Sequence, residues 1–223
     1  MKKAHFVNTR PNHGTITMQE VPKALMGKDS KSFGGLVMSQ HILNEYHYHF
    51  DQGVDDITMY RDLTMTLVTM QETDTLNLYI NSPGGYVDTM FQLVNLITNC
   101  KGTVIGHLLG PSASAACSIF LSCHGWMVHP YATLMGHTWR GGIYGKGKMD
   151  VIPQLNAFSD TIDNMMIDLY FPFFTMEEIG EMIDNNRDIY LTHDEINKRI
   201  EILAQHRKEI AEKGVSTFQQ EAK

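Results

Sequence analysis

Apolar residues alternate with polar ones, or recur every three or four positions, along most of the middle of the chain. Alternating or continuous apolar runs predict strands over 45–50, 76–81, 103–109, 126–128 and 132–137. Helical spacing predicts helices over about 57–70 and 87–97, and a run rich in small residues predicts a third over 113–123. Strands and helices follow one another in turn, which implies parallel strands joined by right-handed crossovers and hence an α/β fold.

The last third of the chain is predicted to be mainly helical. A long helix is marked by apolar residues at helical spacing: Leu155, Phe158, Ile162, Met165 and Leu169. Two capping boxes, Thr175 with Glu178 and Thr192 with Glu195, start two further helices, the second charged and extending over about 193–213. Between these two helices, the run NNRDIYL predicts a short strand. The polar first thirty residues predict an arm with one short strand at Thr15–Met18.

The composition argues against three classes of protein: nucleic-acid-binding, membrane-spanning and secreted proteins. The 223 residues carry a net charge of −7 and no run of Lys or Arg, which argues against a nucleic-acid partner. No window approaches the roughly 18 continuous apolar residues of a membrane span, and MKKAHFVNTRPNH is not followed by the apolar stretch of a secretory signal. The cysteines at 100, 117 and 123 lack metal-type spacing, so we expect reduced thiols and a cytoplasmic protein.

Two turns follow predicted strands and bring backbone amides to a strand end. INSPGG (80–85) has two glycines after a proline and precedes a helix. Such a turn more often only connects a strand to a helix and binds no ligand. GPSASAAC (110–117) places serines where parallel α/β sheets bind their ligands, among small residues that leave room for a substrate. The alternative is that Ser112 only caps a helix and Ser114 only packs.

A serine nucleophile needs a base and a group that orients the base. The candidate bases are His107, His124, His129 and His137. The candidate carboxylates are Asp184, Asp188 and Asp194. His137 ends a predicted strand and precedes a glycine loop, so it can point into a cleft, but spacing alone does not choose among these residues.

The motifs, taken in order, resemble a known family. INSPGG is followed about thirty residues later by a Gly-x-x-Ala-Ser segment. A strand with a histidine on the seventh residue after Pro130, a Gly-Gly loop and an Arg-Asp-x-x-Leu segment then follow in that order. Together they resemble the proteolytic subunit of the Clp protease, a self-compartmentalised serine peptidase. The resemblance extends from about Leu76 to about Thr192, roughly half of the chain.

The resemblance assigns roles to individual residues of this chain. Ser114 corresponds to the nucleophile, His137 to the general base and Asp188 to the carboxylate that orients the base. The backbone amides of Gly85 and Ala115 correspond to the oxyanion hole. The family's substrate-binding positions fall on Gly84, Gly141 and Gly142. The implied activity is therefore serine endopeptidase, with no metal or other cofactor.

The resemblance also implies an architecture and an assembly. The fold would be the α/β spiral of repeated β-β-α units shared with crotonases, with a protruding handle helix over about 151–170. We expect a polar arm over 1–30, a catalytic head over 31–192, and a charged helix and tail over 193–223. Copies would form heptameric rings, which can stack as a tetradecamer. An AAA+ unfoldase would supply the dependence on ATP, and the substrate would be a peptide or an unfolded protein.

Departures from the family leave alternatives open. Thr138 and Trp139 replace the usual Gln-Pro after the base, and a charged helix replaces the usual turn after Asp188. These changes suggest a divergent member of viral or plasmid origin, with its unfoldase and ring size in doubt. The alternatives are an inactive scaffold subunit, a viral head-maturation protease and, less favoured, a crotonase-like acyl-CoA enzyme.

Four other features carry weaker hypotheses. His47 and His49 would share one side of a strand, but no third metal ligand is evident. The loop RGGIYGKGK lacks the P-loop pattern for phosphate binding. Lys146 or Lys148 could pair with Ser114 as a serine–lysine dyad, which is the lesser option. Cys117 is interpreted as a packing residue.

Overall fold

The computed structural model describes residues 5–8, of which only the backbone is considered, 43–142 and 144–213. The strand predicted at Thr15–Met18 and the polar tail after residue 214 lie outside the described residues. A strand that the sequence patterns did not predict, β1 (His5–Asn8), lies near the start of the chain.

The larger sheet of the described region has five strands in the order β1-β6-β4-β3-β2. Its remaining members are β2 (Glu45–Phe50), β3 (Thr75–Ile80), β4 (Thr103–Leu108) and β6 (Gly125–Val128). β2, β3, β4 and β6 are parallel, as the alternation of strands and helices predicts, and β1 is antiparallel to β6. Leu76, Leu78 and Ile80 alternate on β3 and are buried in the core, which fixes the register of that strand.

The described residues also form a smaller sheet of three strands in the order β5-β7-β8. These are β5 (Pro111–Ala113), β7 (Thr133–Gly136) and β8 (Ile189–Leu191). β5 and β7 are parallel, and β8 is antiparallel to β7. The ends of β5 and β7 and the start of β8 therefore lie at one edge of this sheet. That edge carries the residues that the family resemblance singled out.

Strand β5 corrects the start of the helix predicted over 113–123, because Ala113 is the last residue of this strand. The backbone of Ala113 donates to Ser82 at 3.0 Å, and the three residues pair with β7, so the segment is extended. Helix α3 (Ala115–Ser122) begins only after Ser114. Long-range partners thus override the small-residue pattern that favours a helix here.

Three helices contribute buried side chains to the same hydrophobic core as the larger sheet. A 3₁₀ turn (Ile57–Tyr60), capped by Asp56, leads into α1 (Arg61–Thr69), and α2 (Val87–Asn99) follows the glycine turn. Both helices were predicted from the spacing of their apolar residues. All eight residues of α3 are buried, which explains why that helix contains small and apolar side chains.

The C-terminal part of the described chain contains α4 (Lys148–Tyr170), α5 (Met176–Asn185) and α6 (His193–Glu212), with β8 between α5 and α6. Both predicted capping boxes are confirmed, at the starts of α5 and α6. None of the helices in the described ranges is long and apolar enough to cross a membrane.

Two arginines fix α6 to the rest of the molecule. Arg199 donates to both oxygens of Glu178 on α5, at 2.6 and 2.8 Å. Arg207 donates to the carbonyls of Leu121 and Cys123 at the C-terminal end of α3, at 2.8 and 3.0 Å. Cations are favourable at that end of a helix, so Arg207 holds α3 in place behind Ser114.

Candidate active site

Ser114 occupies a sharp turn between β5 and α3. Its backbone has φ 59° and ψ −126°, a conformation that non-glycine residues rarely adopt and that typically costs about 1–3 kcal/mol. The turn is fixed because the Ser114 amide donates to Met135 at 2.9 Å and its carbonyl accepts from Cys117 at 2.8 Å. Such strain is characteristic of functional sites, and it presents the serine at the N-terminus of a buried helix.

The glycine turn SPGG lies directly against this serine. Gly84 has φ +88°, and a β-carbon on it would lie 2.7 Å from the Ser114 β-carbon and 2.6 Å from the Ala113 oxygen. A β-carbon on Gly85 would overlap the carbonyl oxygen of Val54. Both positions therefore require glycine, because neighbouring backbone lies too close for a β-carbon. The structure thus brings the turns INSPGG and GPSASAAC, which the sequence analysis treated separately, into contact.

Ser112 ties the two turns together and does not cap a helix. It lies on β5 and is buried, and its hydroxyl accepts a long hydrogen bond of 3.4 Å from the Ser82 amide. The Ser82 hydroxyl in turn accepts from the Gly84 amide at 3.3 Å. These contacts hold the glycine turn against Ser114.

Two backbone amides near Ser114 are available to a ligand. Gly85 lies two positions before the first residue of α2, and Ala115 is the first residue of α3. Within the described part of the chain, neither amide donates a hydrogen bond. Free amides at helix starts favour negative charge, which is the requirement for an oxyanion hole.

Of the four candidate histidines, His137 lines the same cleft as Ser114. It directly follows β7, and its side chain is 9% exposed. His107 is bonded to Asn77 at 2.9 Å, and Nδ1 of His124 accepts from the Val104 amide at 2.9 Å. The ring of His129 lies 6.0 Å from that of His107. These three histidines belong to the larger sheet and its edges, away from Ser114.

Asp188 is the candidate carboxylate that approaches His137. Its Oδ1 lies 3.9 Å from Nδ1 of His137, which is too long for a hydrogen bond. Nη2 of Arg140 instead donates to both carboxylate oxygens, at 2.9 and 2.7 Å. Asp194 is bonded to His193 at 2.9 Å, and Asp184 is exposed on α5.

The electrostatic surroundings keep the His137 imidazole neutral. Burial lowers the pKa of His137 below its ordinary value of 6.5, because desolvation disfavours the imidazolium. The Asp188 carboxylate opposes this effect, and the Arg140 guanidinium adds to it. A neutral imidazole can accept a proton, as a general base must.

The cleft around Ser114 and His137 is small and open to solvent. Its apolar walls come from α2 and α4: Val87, Met90, Ile162, Met165, Met166 and Tyr170. The hydroxyls of Tyr170 and Ser118 are hydrogen-bonded at 2.9 Å, which joins α4 to α3. Trp139 closes one side, its ring edge-on to Phe158 at 5.1 Å between centroids.

Other residues singled out from the sequence lie outside this arrangement. Lys146 and Lys148 are exposed and do not line the cleft. Cys117 is fully buried, and burial raises the pKa of its thiol to about 12, which leaves it protonated. Gly141 and Gly142 lie in the exposed loop after Arg140. In the described ranges, no group of three His, Cys, Asp or Glu side chains could hold a metal ion.

Sequence patterns did not identify Arg140 as a member of the site. Arg140 and Asp188 are separated by 48 positions, and neither spacing nor periodicity links them. Trp139 was noted only as a departure after His137, and its packing on α4 depends on the folded loop. A positive charge two residues after Thr138 was the only available signal.

Comparison with protein families gives one match. A family model described as Clp protease matches residues 35–201, which is about three quarters of the chain. A comparison with curated proteins finds no significant match.

Proposed function

Because the chain belongs to the Clp protease family, we propose that it is a serine endopeptidase in which Ser114, His137 and Asp188 form the catalytic triad. The observation that carries this proposal is that three residues lie together at one edge of the smaller sheet. Ser114 follows β5, His137 follows β7 and Asp188 precedes β8, so the strand pairing gathers all three residues. Ser114 and His137 line one cleft, and Asp188 lies 3.9 Å from His137.

The proposed reaction proceeds through an acyl-enzyme. The Ser114 hydroxyl attacks the peptide carbonyl while His137 takes its proton, and a C–O bond forms to give a tetrahedral intermediate. The C–N bond then breaks, and His137 gives the proton to the departing amine. Water repeats the sequence: it attacks the acyl group, passes a proton to His137, and the carboxylic acid leaves as Ser114 regains its proton.

The amides of Gly85 and Ala115 are proposed to hold the developing oxyanion. Each is a backbone donor at a helix start, so it needs no reorganisation when charge forms on the carbonyl oxygen. Removal of one donor from such a hole typically costs about 10²–10³ in rate. Asp188 would orient His137 and stabilise the imidazolium that forms during the reaction.

The lining of the cleft supports a preference for an apolar side chain next to the cleaved bond. The walls are formed mainly by methionines and other apolar residues, and among the described residues no Lys, Arg, Asp or Glu side chain lines the cleft. Met90 and Met165 are flexible side chains that adapt to different apolar groups. We therefore propose peptides with leucine, methionine or phenylalanine on the acyl side as the first substrates to test.

Hydrolysis should persist in mildly acidic solution. Because the pKa of His137 is lowered by burial, its imidazole stays neutral below pH 6.5 and loses base function only when pH falls through that lowered pKa. The acid limb of kcat/KM for a fluorogenic peptide should therefore lie below pH 6.5, measured where circular dichroism shows the protein folded. An acid limb at or above pH 6.5 would contradict a buried imidazole as the base.

Copies of the chain are proposed to assemble into heptameric rings that stack through α4. Apolar residues at the start of that helix support this contact, since Met149 is 89% and Ile152 is 44% exposed. Native mass spectrometry should give fourteen protomers, and the double variant M149E/I152E should give seven. A monomer, or a variant with the same mass as the parent, would contradict stacking through α4.

A further inference from the structure

The carboxylate of Asp188 is held by a cation and not by the histidine it is expected to orient. Arg140 Nη2 donates to both of its oxygens, at 2.9 and 2.7 Å, whereas His137 Nδ1 lies 3.9 Å from Oδ1. Nδ1 of His137 is buried and has no hydrogen-bond partner among the described residues. A buried polar atom without a hydrogen-bond partner is unfavourable. A hydrogen bond from Nδ1 of His137 to Asp188 would remove this cost.

Little movement separates this arrangement from a hydrogen-bonded pair. A nitrogen-to-oxygen hydrogen bond needs about 2.9 Å, so the gap between His137 and Asp188 has to close by about 1 Å. His137 directly follows β7 and Asp188 directly precedes β8. Because β7 and β8 are paired, the backbones of the two residues stay close. The obstacle is therefore the side-chain position of Asp188, and that position is fixed by Arg140.

Arg140 is placed to release this carboxylate. Its side chain is 70% exposed, and exposed ion pairs are weak because water and salt compete with them. The preceding residue, Trp139, packs edge-on against Phe158 of α4 at 5.1 Å. This ring contact links the residue before Arg140 to α4.

We infer that Arg140 is a positioning residue that holds Asp188 in a resting arrangement, and that His137 gains its hydrogen bond to Asp188 when Arg140 releases the carboxylate. This inference rests on the proposed roles of Ser114, His137 and Asp188. It adds a regulatory contact between the loop before α4 and the triad.

Removal of Arg140 has two separable consequences. The carboxylate becomes free to accept from Nδ1 of His137, which should raise the activity of the neutral-imidazole form. The charged groups that act on His137 from the described residues are Asp188 and Arg140. Loss of the Arg140 charge leaves Asp188 unopposed, so the pKa of His137 should rise and the acid limb of kcat/KM should move to higher pH.

The test uses the full-length Arg140→Gln variant beside the parent protein. Above the acid limb, kcat/KM for a fluorogenic peptide should rise about two- to fivefold, the population change that loss of a mostly exposed ion pair allows. The acid limb should move to higher pH. In proton NMR, a low-field Nδ1 proton of His137 should appear or strengthen, assigned by its loss in His137→Gln.

Arg187→Gln is the matched control. Arg187 neighbours Asp188 in sequence and is 65% exposed, but it faces Glu181 at 4.0 Å. The Arg187→Gln variant also removes one positive charge near Asp188 but leaves the bonds from Arg140 to the Asp188 carboxylate intact. The pH of the acid limb and the NMR signal should therefore match those of the parent protein. An equal shift in both variants would show a general charge effect and overturn the inference.

Other results would also overturn it. A fall in kcat/KM for Arg140→Gln would mean that Arg140 supports the working arrangement, and unchanged values with no new NMR signal would mean that it does not hold Asp188 away. The NMR signal does not depend on hydrolysis. If Ser114→Ala hydrolyses peptides like the parent, the proposed function fails, while the contact between His137 and Asp188 is still judged by NMR.

Discussion

Replacement of Ser114 by alanine should lower kcat/KM for peptide hydrolysis by about 10³-fold or more, because the acyl-enzyme can no longer form. The change removes one oxygen from a turn that backbone hydrogen bonds to Met135 and Cys117 hold in place. We therefore expect the variant to keep its fold. The measurement is steady-state hydrolysis of a fluorogenic peptide, with the denaturation midpoint of each protein recorded beside it.

Ser122→Ala is the matched control for this change. Ser122 ends the same helix and is buried, but its hydroxyl donates to the Ile119 carbonyl and does not line the cleft. Its kcat/KM should match the parent's, with at most a small loss of stability. Equal activity of Ser114→Ala and Ser122→Ala would contradict a nucleophilic role for Ser114.

Replacement of Gly84 by alanine should lower kcat/KM by about 10²-fold or more, because a misplacement of about 1 Å at a reacting centre has that effect. The new β-carbon would lie 2.7 Å from the Ser114 β-carbon and 2.9 Å from the Ala115 nitrogen. Either the glycine turn or the serine turn must move, and both contribute to the site. The φ of +88° adds backbone strain of about 1–3 kcal/mol.

Gly53→Ala provides the comparison, since Gly53 faces the same turn. A β-carbon there would meet the Gly84 oxygen at 3.6 Å, an ordinary contact. Hydrolysis and urea denaturation of both variants separate loss of activity from loss of stability. If Gly84→Ala keeps the parent's kcat/KM, the close approach of the two turns does not govern the position of Ser114.

Much of the fold was predictable because it is encoded by local patterns. Helix α2 follows the spacing of its own apolar residues, and the capping boxes of α5 and α6 need only residues three apart. Parallel pairing of β3, β4 and β6 follows from the helices between them. Strand β5 was missed because three residues with no β pattern become extended only through their contacts with β7 and Ser82.

The site was predictable in part for the same reason. Ser114, His137 and Asp188 were singled out one motif at a time, and the smaller sheet places all three at one edge. The contact of Gly84 with Ser114 and the bond of Ser112 to the Ser82 amide cross about thirty positions of the chain. The pairing of Arg140 with Asp188 depends on the path of a loop, which no periodic pattern encodes.

The most direct test of the proposed function is covalent labelling with a fluorophosphonate, followed by mass spectrometry of the intact and digested protein. Such a probe phosphonylates a serine whose hydroxyl is activated by a base. We predict one adduct per chain, on the peptide that contains Ser114, and none in Ser114→Ala. No adduct on the parent protein in its native assembly, or the same adduct in Ser114→Ala, would contradict Ser114 as the nucleophile.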